Sequence, residues 1–371
     1  MEDAELGAIS WIDSLSKERV EMVDNYPSLQ PLPFYCPVPE IPPPSSNAID
    51  ARSVQWMLDL GMCERTSPMT RNNVGSYAAL MYPFTLNKEC LQIATDLLYF
   101  GFAYDDTQIA NPELCTTATL APAIGKLLAV LDAPEAPTTD PYERGLLDII
   151  TRLQAAAGLN MALQVADDMR KYLLCSLWQH SLWERGLTPA LSDYMSMRIR
   201  DTGGTWVATL TAACGGYDLP ASIQQHPRAR AAAQAVILTA TLDNDIFSFH
   251  REDAEGQKNA VHILLPDCDN DLARALAASV TLRNRLMLLY TRLRDEPEDT
   301  ETRPVLYRYI HDLGHIVRGN LQWHQSVTHR YDTGKPPLCS PVWTDDGSDI
   351  DASPLPLTSI AWWWDLLCDA A

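Results

Sequence analysis

The segment NDIFSFHRE at 244–252 sets an amide, a hydroxyl and a carboxylate at Asn244, Ser248 and Glu252. Their spacing of four residues puts all three on one stripe of an α-helix. Three hard oxygen donors on one stripe suit Mg²⁺, which keeps further coordination positions for water and phosphate oxygens. A helix that simply turns polar toward an exposed end would look the same, so the stripe needs other elements to become a site. Upstream, LLYFGFAYDDTQIAN runs apolar and aromatic until it delivers Asp105 and Asp106 side by side. Adjacent carboxylates at the negative end of a helix dipole are tolerable if a divalent cation neutralises them. Such pairs are also common on surfaces, where Asp167 and Asp168 are expected to lie.

Two cationic elements accompany the acids. GNLQWHQSVTHRY closes on Arg330 and Tyr331, a guanidinium fork and a phenol that can both donate to phosphate oxygens. In MSMRIRDTGG, Arg198, Arg200, Asp201 and Thr202 run into Gly203 and Gly204, a helix break that exposes backbone groups. The whole chain carries 28 Lys and Arg against 48 Asp and Glu, a formal charge of −20, which repels nucleic acid and anionic membrane surfaces. It would repel a diphosphate as well, unless clustered arginines or bound divalent cations intervene.

The elements that must position these residues read as helices over 48–62, 73–81, 87–104, 115–131, 140–156, 159–185, 188–200, 205–214, 226–252, 258–265, 269–295 and 301–331, separated by Pro or Gly breaks. The 226–252 segment is apolar around most of its circumference, so it is expected at the centre. With 46% hydrophobic and 20% charged residues a sizeable core is available, and one all-α domain is the expectation. Residues 1–47 form an N-terminal extension, open to a loose helix, and a Pro-rich strap over 24–47 that cannot be helical; 48–331 form the helical domain, and 332–371 a loop-like tail with an apolar WWWDLL close. Nine cysteines without a CxxC pair read as reduced thiols. No basic leader pattern and no run of about 18 apolar residues is present, so no membrane insertion and a cytoplasmic location are expected.

Taken together, the motifs resemble the class I terpene synthases of bacteria and fungi over roughly residues 33–331. NDIFSFHRE fits the family's metal-binding pattern (N/D)Dxx(S/T)xxxE at every defined position. The PFYCPVP opening at 33–39, the Asp pair closing an aromatic helix and the terminal Arg-Tyr pair preceded by GNLQW agree in kind and order. The resemblance implies a helical bundle around a central cavity and three Mg²⁺ ions, with Mn²⁺ as a substitute. It implies that Asn244, Ser248 and Glu252 hold one ion and that Asp105, next to Asp106, bridges two others. It makes Arg198 the diphosphate sensor, Asp201 and Thr202 the linker and effector of the helix break, and Arg251, Arg330 and Tyr331 further diphosphate contacts. The acidic motif departs from the family's DDxxD or DDxxxE, since Ile109 and Ala110 stand where the third acid would be, with Asn111 and Glu113 as candidate replacements.

The implied substrate is a linear isoprenoid diphosphate, farnesyl diphosphate by family frequency, with geranyl, methylated geranyl and geranylgeranyl diphosphates as alternatives. The implied reaction is ionisation followed by carbocation cyclisation to a hydrocarbon or alcohol. A cation must be kept from water by an apolar, aromatic wall. Tyr99, Phe100, Phe102, Phe247 and Trp323 are the candidates, each of which could equally be ordinary core, and Trp206 follows the helix break. Two rivals remain at this point. One is a chain-elongating or squalene-type prenyltransferase, which would normally show two Asp-rich motifs; the other is a non-catalytic helical relict. A homodimer is a further open expectation.

Overall fold

The structure, a computed structural model, describes residues 22–23, 26–27, 30–42, 45–109, 116–296 and 303–367. Asn111 and Glu113, and the extension over 1–21, lie outside the described residues. Thirteen α-helices occur among those described: α1 (Asn47–Leu60), α2 (Val74–Met81), α3 (Lys88–Tyr104), α4 (Thr117–Asp132), α5 (Pro141–Ala157), α6 (Leu159–Glu184), α7 (Leu191–Asp201), α8 (Gly204–Gly215), α9 (Ala221–Gln224), α10 (Pro227–Ala254), α11 (Ala260–Leu264), α12 (Leu272–Asp295) and α13 (Pro304–Ser326).

Their ends follow local chemistry. Asn87, Asp140 and Asp271 accept backbone N–H groups in the first turns of α3, α5 and α12, and Pro141 sits where α5 needs no donor. Gly61 ends α1 in the left-handed conformation at φ 81°. The last helix is shorter than its periodicity suggests. It stops at Ser326, so Arg330 and Tyr331 leave the helix and occupy the turn that follows.

Helix α10 lies at the centre, packed by α12, α13, α7 and α8. Ala231, Ala232, Ala235, Val236, Leu238 and Leu242 are all fully buried. The small residues over 229–235 allow close approach of the neighbouring helices, and Ile237, Ala240, Thr241 and Asn244 farther along α10 line the cavity. Asp167 is exposed, as a surface pair would be, but Asp168 is buried and accepts from Thr209 Oγ1 at 2.6 Å, tying α6 to α8. No local pattern around this pair marks one member as facing inward.

The strap is extended, as its prolines require. Four strands occur among the described residues: β1 (Met22–Val23) pairs antiparallel with β2 (Tyr26–Pro27), and β3 (Gln30–Tyr35) pairs parallel with β4 (Cys339–Thr344). The tail was expected as loop, and here the structure differs. Residues 339–344 form β4 against the strap, while Leu355, Leu357, Ile360 and Trp363 are buried in the same core as the helices. A parallel partner far away in sequence leaves no local signature.

Side chains of α12 and α13 fasten the strap. Asn284 Nδ2 donates to Pro33 O at 2.8 Å, and its Oδ1 accepts from Tyr35 N at 3.0 Å. Arg318 donates to Val38 O and Cys36 O and lies over the Trp343 ring on β4. Arg283 donates to Tyr35 O and pairs with Asp243 at 2.8 Å, both side chains being fully buried. The strap is thereby connected to α10 one residue before Asn244.

Candidate active site

One cavity, about 1270 Å³ counted with its open side, is bounded by α2, α3, α6, α7, α8, α10 and α13. Asp105, Arg198, Asp201, Thr202, Asn244, Arg251, Glu252, Arg330 and Tyr331 all line it. Residues taken from four separate stretches of sequence thus meet in one space.

Asp105 and Asp106 divide the labour that the sequence left joined. A short π-helical turn over Asp105–Ile109 widens the end of α3, a distortion frequent at functional sites. Asp105 faces the cavity. Asp106 turns aside and takes both prongs of Arg330, at 2.8 and 2.7 Å, together with Arg251 Nη2 at 2.7 Å. Burial works against ionisation of Asp106, but Arg330 and Arg251 overcome it and hold the carboxyl below its ordinary range. Burial pushes Asp105 up to about 6, with the neighbouring Asp106 charge adding to the shift.

On α10, Glu252 is pushed up to about 7 by burial and by the Asp245 carboxylate, opposed by Arg198. Its Oε2 accepts from Asn259 Nδ2 at 2.8 Å, and Asn259 caps α11 with its Oδ1. Asn244 gives one N–H to Tyr331 Oη at 2.8 Å and points another at His324 Nε2 at 3.1 Å. Ser248 Oγ is buried beside the Glu252 carboxylate and helps to stabilise its charge.

These features fit a hard divalent cation. An amide oxygen, a buried hydroxyl and two carboxylates whose burial favours the neutral form are what such an ion would complete. Among the described residues no cluster of three or more His, Cys, Asp or Glu exists.

The cation side is organised at the helix break. Helix α7 ends at Asp201, Thr202 follows, Gly203 has φ 74°, and α8 starts at Gly204. A side chain at Gly203 would strike the Trp206 ring at 2.4 Å, besides being strained at that φ. Arg198 reaches Asp201 Oδ1 at 3.4 Å and Asp245 Oδ1 at 3.2 Å, while its buried Nε finds no partner among the described residues. Arg330 Nε is in the same state, and its guanidinium sits 4.5 Å from the Phe102 ring centroid. Unsatisfied guanidinium donors beside a cavity are suited to an anionic oxygen.

The aromatic candidates separate into two groups. Phe102 and Trp323 line the cavity, as does Trp206. Tyr99, Phe100 and Phe247 are not among its lining residues, which corrects the expectation for these three. Tyr99 donates to Asp50 Oδ1 at 2.8 Å, Phe100 stacks on Tyr104 and packs edge-on to Tyr142, and Phe247 stacks on His324 at 5.0 Å. One turn of α3 decides between Phe100 and Phe102, because residues two apart on a helix face nearly opposite ways.

Several residues escaped the sequence reading. Asp245 is fully buried and accepts from Tyr194 Oη at 2.7 Å, Ala260 N at 3.1 Å and Arg198. Asn259, Tyr194, Tyr77 and His324 also contact or line the site. Asp245 carried a signal as the fixed Asp of the motif NDIFSFHRE, and Asn259 carried one as an Asn immediately before the apolar AVHIL turn, an N-cap position.

An all-helical bundle with an oxygen-donor stripe facing an acidic helix end across one cavity is the class I terpenoid synthase arrangement. A family model described as "Terpene synthase family 2, C-terminal metal binding" matches residues 96–287, and the chain belongs to that family. It is 27% identical to spiroviolene synthase of Streptomyces violens over 351 residues, covering 90% of this chain and 96% of that protein. It is 26% identical to (+)-T-muurolol synthase ((2E,6E)-farnesyl diphosphate cyclizing) of Streptomyces clavuligerus, covering 90% of this chain and 82% of that protein. The crystal structure of 2-methylisoborneol synthase from Streptomyces coelicolor A3(2), in complex with Mg²⁺ and 2-fluoroneryl diphosphate, matches with a TM-score of 0.72 at 20% identity. That likeness covers 80% of this chain and 96% of the other and speaks to fold. The chain is a terpene cyclase, a carbon–oxygen lyase acting on phosphates, and an isoprenoid diphosphate is the substrate the family implies. No helix among the described residues is long and apolar enough to cross a membrane.

Proposed function

We propose that this cyclase ionises farnesyl diphosphate and closes the resulting cation within the cavity described above. The observation that carries the reading is the convergence of Asp105, Asn244, Glu252, Arg198, Arg330 and Tyr331 on one space whose wall includes Phe102, Trp206 and Trp323. Asn244, Ser248 and Glu252 would hold one Mg²⁺ and Asp105 would share in holding two more. Bound Mg²⁺ supplies Lewis-acid stabilisation of the departing diphosphate.

The remaining work falls to side chains. Arg198 and Arg330 each hold buried donors in reserve for diphosphate oxygens, and Arg251 joins them from the residue before Glu252. Tyr331 Oη accepts from Asn244, which leaves the phenol proton to donate to the leaving group. Asp201 and Thr202 transmit the position of Arg198 to the α7–α8 break through their own bonds to it. No acid, base or covalent nucleophile is required to begin. Phe102, Trp206 and Trp323 offer π faces to the migrating charge and exclude water. Residues 48–331 supply the catalytic domain.

Support for the fifteen-carbon chain comes from the muurolol relative, whose name states that it cyclises farnesyl diphosphate. The test is incubation with Mg²⁺ and, separately, geranyl, methylated geranyl, farnesyl and geranylgeranyl diphosphates, with gas chromatography and mass spectrometry of the extract. The expected result is a cyclic product chiefly from farnesyl diphosphate. A cyclic product chiefly from one of the other three overturns the chain length, and no turnover with any overturns the site reading.

A further inference from the structure

His324 lies on the wall of the cavity and is held from every side. Its ring stacks on Tyr331 at 5.2 Å and 6° and on Phe247 at 5.0 Å, and Trp323 meets it edge-on. Its Nδ1 is 2.7 Å from the backbone oxygen of Asn320. A carbonyl oxygen can only accept, so Nδ1 carries the proton. In the neutral ring Nε2 is then a lone pair, and a lone pair can only accept. The atom facing Nε2 is Asn244 Nδ2, at 3.1 Å.

This fixes a choice that an isolated asparagine would leave open. An amide can present either oxygen or nitrogen to a cation, and only the oxygen can ligate. Here the Nδ2 protons are directed to two acceptors, His324 Nε2 and Tyr331 Oη. The amide oxygen is left for the cavity. Asn320 is itself anchored, since its Oδ1 accepts from Tyr77 Oη at 2.8 Å and its Nδ2 donates to Ala240 O at 3.1 Å. The chain of bonds from Asn320 through His324 to Asn244 therefore starts from a fixed point that joins α13 to α2 and α10.

We propose that His324 is a positioning residue that orients the Asn244 amide so that its oxygen serves as a metal ligand. The inference rests on Asn244 being such a ligand. It concerns the tautomer and direction of one side chain, and it gives the ring no part in proton transfer. Loss of a group that orients a metal ligand ordinarily costs about 10–100-fold in metal affinity.

Two measurements test it. In ¹⁵N-histidine-labelled protein without metal, nitrogen NMR should show His324 as the Nδ1–H tautomer; an Nε2–H tautomer overturns the proposal. Calorimetric titration with Mg²⁺ in the presence of inorganic diphosphate should show about 10-fold weaker binding in His324→Phe, which keeps the ring stack but has no acceptor. His324→Gln, whose side-chain oxygen can take the place of Nε2, should bind close to wild type. Asn244→Ala is the control. If it weakens binding while His324→Phe does not, the His324 inference fails alone. If neither weakens binding, the assignment of Asn244 fails and takes the inference with it.

Discussion

The two acidic halves of the site are built in opposite ways. On α10, Asn244, Ser248 and Glu252 sit in the helix at the centre of the bundle, and their neighbours Asp243 and Asp245 are each fully buried and bound to arginines from α12 and α7. At the end of α3, Asp105 and Asp106 stand on a π-helical turn followed by residues outside the described structure, and the third acid of the usual motif is absent. The first half is held in place by these two buried ion pairs. The second depends on two arginines that also face the diphosphate position. Since Arg251 and Arg330 both hold Asp106, the acidic end and the cationic clamp act as one unit. Grip on the diphosphate should therefore lean on α10 and the arginines more than beside a complete acidic motif.

Three pairs of substitutions probe the site, beginning with the largest effect. Asn244→Ala or Glu252→Ala should lower kcat/KM by about 10²–10³-fold, the scale on which removal of a preorganised electrostatic group is felt. Near wild-type turnover in steady-state assays would show that the α10 stripe is not the metal half. Asp105→Asn comes next and should cost roughly 10²-fold, far more than Asn111→Ala. The reverse order would place the bridging ligand at Asn111 and make the acidic half the longer one. The smallest effect on rate concerns the aromatic wall. Phe102→Leu should redistribute products by gas chromatography, whereas Phe100→Leu should leave the product pattern alone and lower stability by about 1–2 kcal/mol in chemical denaturation. A changed pattern for Phe100→Leu would mean that the wall extends behind α3.

Much of this arrangement was legible in the sequence. The helices lie close to where apolar periodicity and Pro or Gly breaks put them, since both signals are local. Asn244, Ser248 and Glu252 were readable because i, i+4 spacing converts directly into one helix face. The Gly203–Gly204 break was readable because paired glycines interrupt a helical pattern, while the left-handed Gly203 packed against Trp206 is what the structure adds.

Other features depend on partners far away in the chain. Nothing near Asp106 says that Arg330 will claim it from 224 positions downstream. The same holds for the β3–β4 pairing, for inward-facing Asp168, and for the choice of Phe102 over Phe100 as cavity wall. The sequence by itself determined which residue types could bind a cation and that helices would carry them. Only the tertiary structure decided which of those groups share a cavity, and which way the Asn244 amide turns, because both depend on contacts between helices that local periodicity does not encode.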